Sequence, residues 1–261
     1  MITKTHHFFT LAPNPWPLIS SLLSFNLLFS LLVFLKFSEE ANFLLNLLAI
    51  SIASFTWWFS YRGEFNLEGK SSFLLEKGLK MSIILFISSE IFFFFSFFWS
   101  YFQFFLSPTI ETGLTWPPFA VEIFDCFNVP LINTLVLIRS GLTVTLRHFF
   151  LIESDIKFFR LNLFLTISLG FFFRILQVIE YSSSFFSIRD CTFGTSFFML
   201  TGFHGIHVLI GSLFLFSCFL RGLKLSTSHN RFLGFEIASW YWHFVDVVWI
   251  FLFFFLYYLN Y

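Results

Sequence analysis

Three histidines and one carboxylate lie within long apolar stretches of the chain, where polar side chains are costly. His204 and His207 are three residues apart, so they share one helix face and could bind a haem or a metal ion. The alternative is that these histidines form hydrogen bonds between packed helices. We favour this alternative for His204, His207 and His243, because no Cys or Met stands at copper-binding spacing. Glu90 could be a protonated hydrogen-bonding group, a proton site or a lipid site.

Two arginines also fall inside apolar stretches, Arg139 and Arg174. A guanidinium keeps its charge, so each needs a carboxylate, carbonyl groups or water around it. We predict that both are paired inside the helix bundle or at a contact with another subunit. The candidate carboxylates in this chain are Glu90, Glu180, Glu236 and Asp246.

Composition indicates which elements must hold these groups. Of the 261 residues, 57% are hydrophobic and only 11% are charged, whereas a soluble domain carries about 25% charged residues. The formal net charge is zero, and no basic arm indicates a nucleic-acid partner. The three cysteines show no metal-binding spacing. The chain is therefore predicted to be a membrane protein.

A membrane-spanning helix needs about 20 apolar residues, and the chain contains seven such stretches. We predict a single transmembrane domain over residues 1–261, with helices at about 16–35, 42–61, 79–106, 129–150, 159–181, 192–220 and 237–259. Trp57 and Trp58 close the second stretch, as expected for indoles at a membrane interface.

The distribution of Lys and Arg predicts the orientation of these helices. Basic residues concentrate in the N-terminal segment and in the connections between helices two and three, four and five, and six and seven. The connection between helices three and four holds Glu111, Glu122 and Asp125 but no Lys or Arg. The positive-inside rule then places the N-terminus on the inner side of the membrane.

Eight stretches carry a resemblance to one family. They are PNPWP at 13–17, WW at 57–58, KGLKM at 77–81, LFISSE at 85–90, WPP at 116–118, VPLINT at 129–134, TGFHGIHV at 201–208 and WYWHFVDVVW at 240–249. Together, and in this order, they resemble subunit III of the haem–copper cytochrome c oxidases. The resemblance covers nearly the whole chain.

The resemblance implies an all-α membrane protein in which two N-terminal helices are splayed from a five-helix bundle, with a lipid-filled cleft between. It implies a non-catalytic chain without haem or copper, since these reside in subunits I and II of that family. The chain would pack on subunit I with accessory subunits nearby, bind phospholipids and sustain proton uptake. Glu90 matches the intramembrane carboxylate at the cleft. The positions near lipid headgroups are Trp57, Trp58, Arg62, Glu64 and Arg221.

The resemblance also implies a location and leaves some residues without a role. The basic side would be the mitochondrial matrix, or less readily a bacterial cytoplasm. His204, His207, Glu236, His243 and Asp246 remain structural polar groups within the membrane, and Arg139 and Arg174 have no counterpart in the family pattern. The alternatives are subunit III of a quinol oxidase, which usually has five helices, and a stand-alone carrier, which should show duplicated halves.

Overall fold

The structure is a computed structural model that describes residues 14–67, 73–110, 113–119, 121–152, 156–223 and 233–261. For residues 61–67, 73–75, 148–152, 156 and 221–223 it describes the backbone alone. Within these ranges the regular elements are all helical.

Seven helices of the described chain are long and apolar enough to cross a membrane, which confirms the predicted all-α architecture. They are α1 (Trp16–Phe37), α2 (Glu40–Leu67), α3 (Phe73–Leu106), α4 (Val129–Ile152), α5 (Ile156–Ser182), α6 (Thr192–Leu223) and α7 (Leu233–Leu252). A π-helical turn, Phe253–Tyr257, and a 3-10 turn, Tyr258–Asn260, extend α7.

Local chemistry sets the ends of α1. The side-chain oxygen of Asn14 accepts a hydrogen bond from the Trp16 N–H at 3.1 Å, so one free donor of the first turn is satisfied. At the other end Ser38 adopts a left-handed conformation with φ 58°, and its N–H donates to the Phe34 carbonyl at 2.8 Å. This reversal closes the helix and leaves room for α2 to begin at Glu40.

Helices α2 and α3 extend beyond the spans predicted from hydropathy. Helix α2 ends at Leu67 rather than near 61, and α3 begins at Phe73 rather than near 79. The additional turns contain charged residues such as Glu76 and Lys77. An apolar count stops where charges begin, but helical backbone hydrogen bonds form equally well outside the hydrocarbon region.

The chain divides into two compact units, Met1–Leu79 and Lys80–Tyr261. In the first unit α1 packs against α2, and the rings of Phe34 and Phe43 stack 5.7 Å apart. The splaying of this helix pair, the lipid-filled cleft and the single domain over 1–261 stay predictions.

In the second unit α4, α5, α6 and α7 pack in a ring of neighbours, and α7 is the most deeply buried of them. Half of the residues in the most apolar stretch of α7 and its extension are buried inside the protein, against 28% for α5. Helix α3 packs against these helices through aromatic side chains. For example, the ring centroids of Phe93 and of Phe203 in α6 lie 5.0 Å apart. The second unit therefore buries α7 more deeply than its neighbours and holds most of the polar groups that the sequence singled out.

The short connection between α5 and α6 is fixed by Asp190. Its carboxylate accepts a hydrogen bond from the Ser187 N–H at 2.6 Å. That backbone hydrogen bond favours the charged carboxylate and holds the pKa of Asp190 below its usual range. This fixed turn brings the end of α5 next to the start of α6.

Candidate functional site

Trp242 of α7 sets the spacing of the helices around the site. Its indole is fully buried, and Nε1 donates a hydrogen bond to Ser140 Oγ of α4 at 2.9 Å. The ring lies against Gly170 of α5 and Gly211 of α6, where an added Cβ would come within 2.6 Å and 3.0 Å of its carbons. We call Trp242 and these three small residues the Trp242 socket. It holds α4, α5 and α6 around α7.

Glu90 and His207 form a pair near the middle of the bundle. Glu90 of α3 and His207 of α6 are 117 positions apart, and their Oε2 and Nε2 atoms lie 2.9 Å apart. The carboxylate side chain is 21% exposed and the imidazole 10% exposed. The pair is thus joined by a short hydrogen bond and is open on the carboxyl side.

The other hydrogen bond of His207 restricts where the proton can lie. Nδ1 is 2.7 Å from the Phe203 carbonyl oxygen, which can only accept, so Nδ1 carries a hydrogen. A neutral imidazole then has a bare Nε2, and one proton is shared between that nitrogen and Glu90. The pair has no net charge whichever partner holds the proton.

Aromatic rings surround His207 on several sides. Phe94 meets it edge-on with ring centroids 5.1 Å apart, Tyr241 stacks on it at 6.3 Å, and Phe244 lies at 6.2 Å. These rings keep water from the imidazole and fix its orientation. The arrangement can hold one proton at a defined position.

His204 faces the interior rather than α3. It is fully buried, and its Nε2 donates to the Val245 carbonyl of α7 at 3.2 Å. The rings of Phe173 and Trp249 lie 5.6 Å and 5.1 Å from its ring. Thus His204 joins α6 to α7, whereas His207 joins α6 to α3.

His243 and Asp246 lie together on α7, with Nδ1 and Oδ2 3.7 Å apart. Gly141 of α4 packs on this pair, because a Cβ at that position would meet Asp246 Oδ2 at 2.5 Å. At the start of the same helix Glu236 pairs with Lys80 of α3. Asp246 and Glu236 therefore each have a partner other than Arg139 or Arg174.

Arg139 and Arg174 make no ion pair or hydrogen bond with the described residues. Arg139 is exposed on the outer face of α4, ten residues from Val129 and so about 15 Å from that end. Arg174 is half-buried, with its guanidinium lying over Gly205 of α6. Of the candidate partners, Glu90 pairs with His207 instead. The expected pairing inside the chain is not found in this part of it, and pairing at a subunit contact stays a prediction.

A third arginine, Arg147 of α4, has an environment that the sequence did not indicate. It is fully buried, with its guanidinium carbon 3.9 Å from the ring centre of Phe159 and 3.7 Å from that of Phe235. Cation–π contact with these two rings takes the place of an acid partner among the described residues. The local sequence does not distinguish Arg147 from the basic residues of the neighbouring connection, because the two aromatic rings that contact it come from α5 and α7.

The predicted headgroup residues are only partly described. Trp57 and Trp58 lie in α2, where Trp57 is half-buried and Trp58 is 57% exposed. The side chains of Arg62, Glu64 and Arg221 lie outside the described residues, although their backbone is helical. Lipid contacts of these five residues stay predictions.

The sequence of the whole chain is similar to that of one protein family. The sequence profile of the family described as Cytochrome c oxidase subunit III matches residues 6–261. The chain belongs to this family. Its members are subunits of an oxidoreductase complex, and this member is a multi-pass membrane protein.

Curated relatives match over almost their whole length. The chain is 44% identical to cytochrome c oxidase subunit 3 of Dugong dugon over 253 residues, 97% of each chain. It is 44% identical to that of Anopheles quadrimaculatus over 248 residues, 95% of each chain, and 42% identical to that of Halichoerus grypus over 253 residues, 97% of each. The Glu90–His207 pair and the Trp242 socket lie within the stretch that the family profile matches.

Proposed function

We propose that this chain is a non-redox core subunit of cytochrome c oxidase that stabilises subunit I, binds phospholipid and sustains proton uptake. The observation that carries the proposal is the Glu90–His207 pair, a proton-holding group placed mid-bundle whose carboxyl side is partly exposed. A single acid on α3 makes no relay by itself, because proton transfer needs groups or waters about 3 Å apart. We therefore assign it a modulating role in pumping.

The names of the relatives favour the cytochrome c branch over a quinol oxidase, since those printed are cytochrome c oxidase subunits. We place the chain in the mitochondrial inner membrane with its N-terminus in the matrix. The concentration of Lys and Arg on the N-terminal side supports this orientation. The accessibility of an N-terminal tag from either side of the membrane would test it.

We infer that the chain holds no haem or copper and that these lie in partner subunits. Each of the three histidines considered as ligands has a protein neighbour, namely Glu90 for His207, the Val245 carbonyl for His204 and Asp246 for His243. Metal analysis of the isolated subunit should find neither iron nor copper. Stoichiometric iron or copper would contradict the inference.

Changing Glu90 to Gln is expected to leave oxygen reduction near normal and to reduce proton pumping only partly. The amide keeps the shape of the carboxyl and can donate to the bare Nε2 of His207, but it cannot release a proton. Pumping stoichiometry of the assembled oxidase in vesicles measures the effect. A hydrophobic carbodiimide should label wild-type Glu90, because charge separation in hydrocarbon is costly and the proton is expected on the carboxyl.

Glu122→Gln is the matched control, because Glu122 is exposed in the connection between α3 and α4. It should change neither pumping nor labelling. If Glu90→Gln abolished turnover in a fully assembled complex, the carboxyl would be an obligatory proton carrier and the modulating role would be wrong.

Arg62→Ala or Arg221→Ala is expected to lower the phospholipid content of the purified oxidase and to shorten its lifetime during turnover. A guanidinium can donate two hydrogen bonds to one phosphate, and alanine removes both. Lipid phosphorus per haem after detergent washing measures the loss. Arg189→Ala, in the connection between α5 and α6, is the control. Equal lipid retention in all three variants would count against the headgroup assignment.

A further inference from the structure

Three polar side chains are buried together where α5 ends and α7 ends. Gln177 and Glu180 lie three residues apart on α5 and so share a face. Tyr257 is the last residue of the π-helical turn after α7. Each of the three is 1% exposed. The tyrosine hydroxyl lies beside both the Glu180 carboxyl and the Gln177 amide.

All five polar side-chain atoms of these residues are buried without a hydrogen bond of good geometry. They are Gln177 Oε1 and Nε2, Glu180 Oε1 and Oε2, and Tyr257 Oη. Buried polar atoms are nearly always satisfied, because each unpaired one loses its hydration without compensation. The tyrosine hydroxyl lies within reach of Glu180 and Gln177 but has one hydrogen to donate, so direct contacts among the three residues cannot satisfy all five atoms. The atoms left over indicate a small polar ligand among them.

Glu180 has no cation to balance a negative charge within the described residues. The nearest arginine on its own helix, Arg174, is six positions away, which is about 9 Å along the axis and about 240° around it. An ionised carboxylate there would be buried and unpaired, the costliest state for such a group. The carboxyl is therefore expected to carry its proton.

The position of Tyr257 is fixed independently of Glu180. The π-helical turn places it in the core, and π turns often occur at functional positions. Asn260 secures this turn, because its Nδ2 donates to the carbonyls of Phe255 and Leu256 at 3.0 Å and 2.8 Å. The phenol is thus held against α5 by the backbone that carries it.

We propose that Glu180, Gln177 and Tyr257 form a site that holds one proton on Glu180 and binds a water molecule between α5 and α7. A protonated carboxyl, a phenol and a primary amide each supply both donors and acceptors, so one water with about three hydrogen bonds can link all of them. The site would not suit a bare cation, because four oxygens are fewer than the six to eight that Ca²⁺ takes.

Tyr181 connects this site to its surroundings. It lies next to Gln177, and its hydroxyl is 2.7 Å from Thr201 Oγ1 of α6. Tyr181 is half-buried, whereas the three site residues are fully buried. It therefore forms the less buried side of the site.

Infrared difference spectra of the purified, intact oxidase test the proposal. The wild type minus Glu180→Gln spectrum should show the carbonyl band of a protonated carboxylic acid, and this band should shift in D₂O. Tyr257→Phe keeps Glu180 and should move the same band, because one hydrogen bond to the carboxyl site is lost. Glu122→Gln, in an exposed connection, should affect neither.

Carboxylate bands in place of the carbonyl band would overturn the proton assignment and point to a bound cation. An unchanged carbonyl band in Tyr257→Phe would overturn the shared site. This comparison with the wild type can be made even if Glu180→Gln fails to assemble.

Exchange into H₂¹⁸O should shift a bound-water band that is absent from Tyr257→Phe. If the wild type showed no such band, the proposal that the site binds a water molecule would be wrong. A hydrophobic carbodiimide should leave the fully buried Glu180 unlabelled while it reacts with Glu90 in the same sample.

Discussion

Gly170→Leu is expected to prevent stable assembly of the oxidase around this chain. A Cβ at Gly170 would lie 2.6 Å from one Trp242 carbon and 3.3 Å from a second. The indole cannot move away freely, because Nε1 is bonded to Ser140 at 2.9 Å and Gly211 lies against the ring. Overpacking of a core costs about 1–3 kcal/mol when neighbours can adjust, and here the whole leucine side chain must be accommodated.

Gly78→Leu is the matched control, because Gly78 is also helical and no atom of the described residues lies within 4 Å of its added Cβ. Blue-native gels with in-gel oxidase staining should show little complex for Gly170→Leu and normal amounts for Gly78→Leu. Gly170→Ala should fall between them. Equal complex from both leucine variants would mean that the Trp242 socket does not set the helix spacing.

Asn260→Leu is expected to loosen the end of α7 and the connection that follows α3. Asn260 Oδ1 accepts a hydrogen bond from Trp116 Nε1 at 2.9 Å, and Nδ2 donates to the Tyr101 hydroxyl at 2.8 Å. That hydroxyl donates in turn to the Phe255 carbonyl at 2.8 Å. Leucine has nearly the same shape but removes the two N–H donors and the carbonyl acceptor of the amide, which at about 1 kcal/mol each amounts to about 3 kcal/mol.

The measurements are thermal inactivation of the complex and protease cleavage within residues 107–128. Asn260→Leu should lower the inactivation temperature and speed cleavage. Asn42→Leu is the control, because Asn42 is exposed and its side chain makes one weak hydrogen bond, to Glu39 at 3.3 Å. If the two variants behaved alike, the Asn260 hydrogen bonds would contribute nothing to the closure of the bundle.

The sequence alone determined the number of helices and the family. Each span needs about 20 apolar residues whose backbone hydrogen bonds are satisfied within the helix, so composition and charge placement suffice to find it. The ends of the helices were less well determined, as α2 and α3 show. Helical turns that contain charged residues lie outside the hydrocarbon region, and counting apolar residues does not detect them. The unusual Glu90 was also evident, since a carboxyl in an apolar run is rare.

Only the tertiary structure decided which polar groups meet. Nearly every face of these helices is apolar, so a periodic pattern cannot show which face points inward. The pairing of Glu90 with His207, the rings around Arg147 and the burial of Glu180 beside Tyr257 each join different helices. They depend on helix rotation and spacing, which the Trp242 socket sets through small residues on three other helices. Those contacts are long-range in sequence, and local pattern holds no information about them.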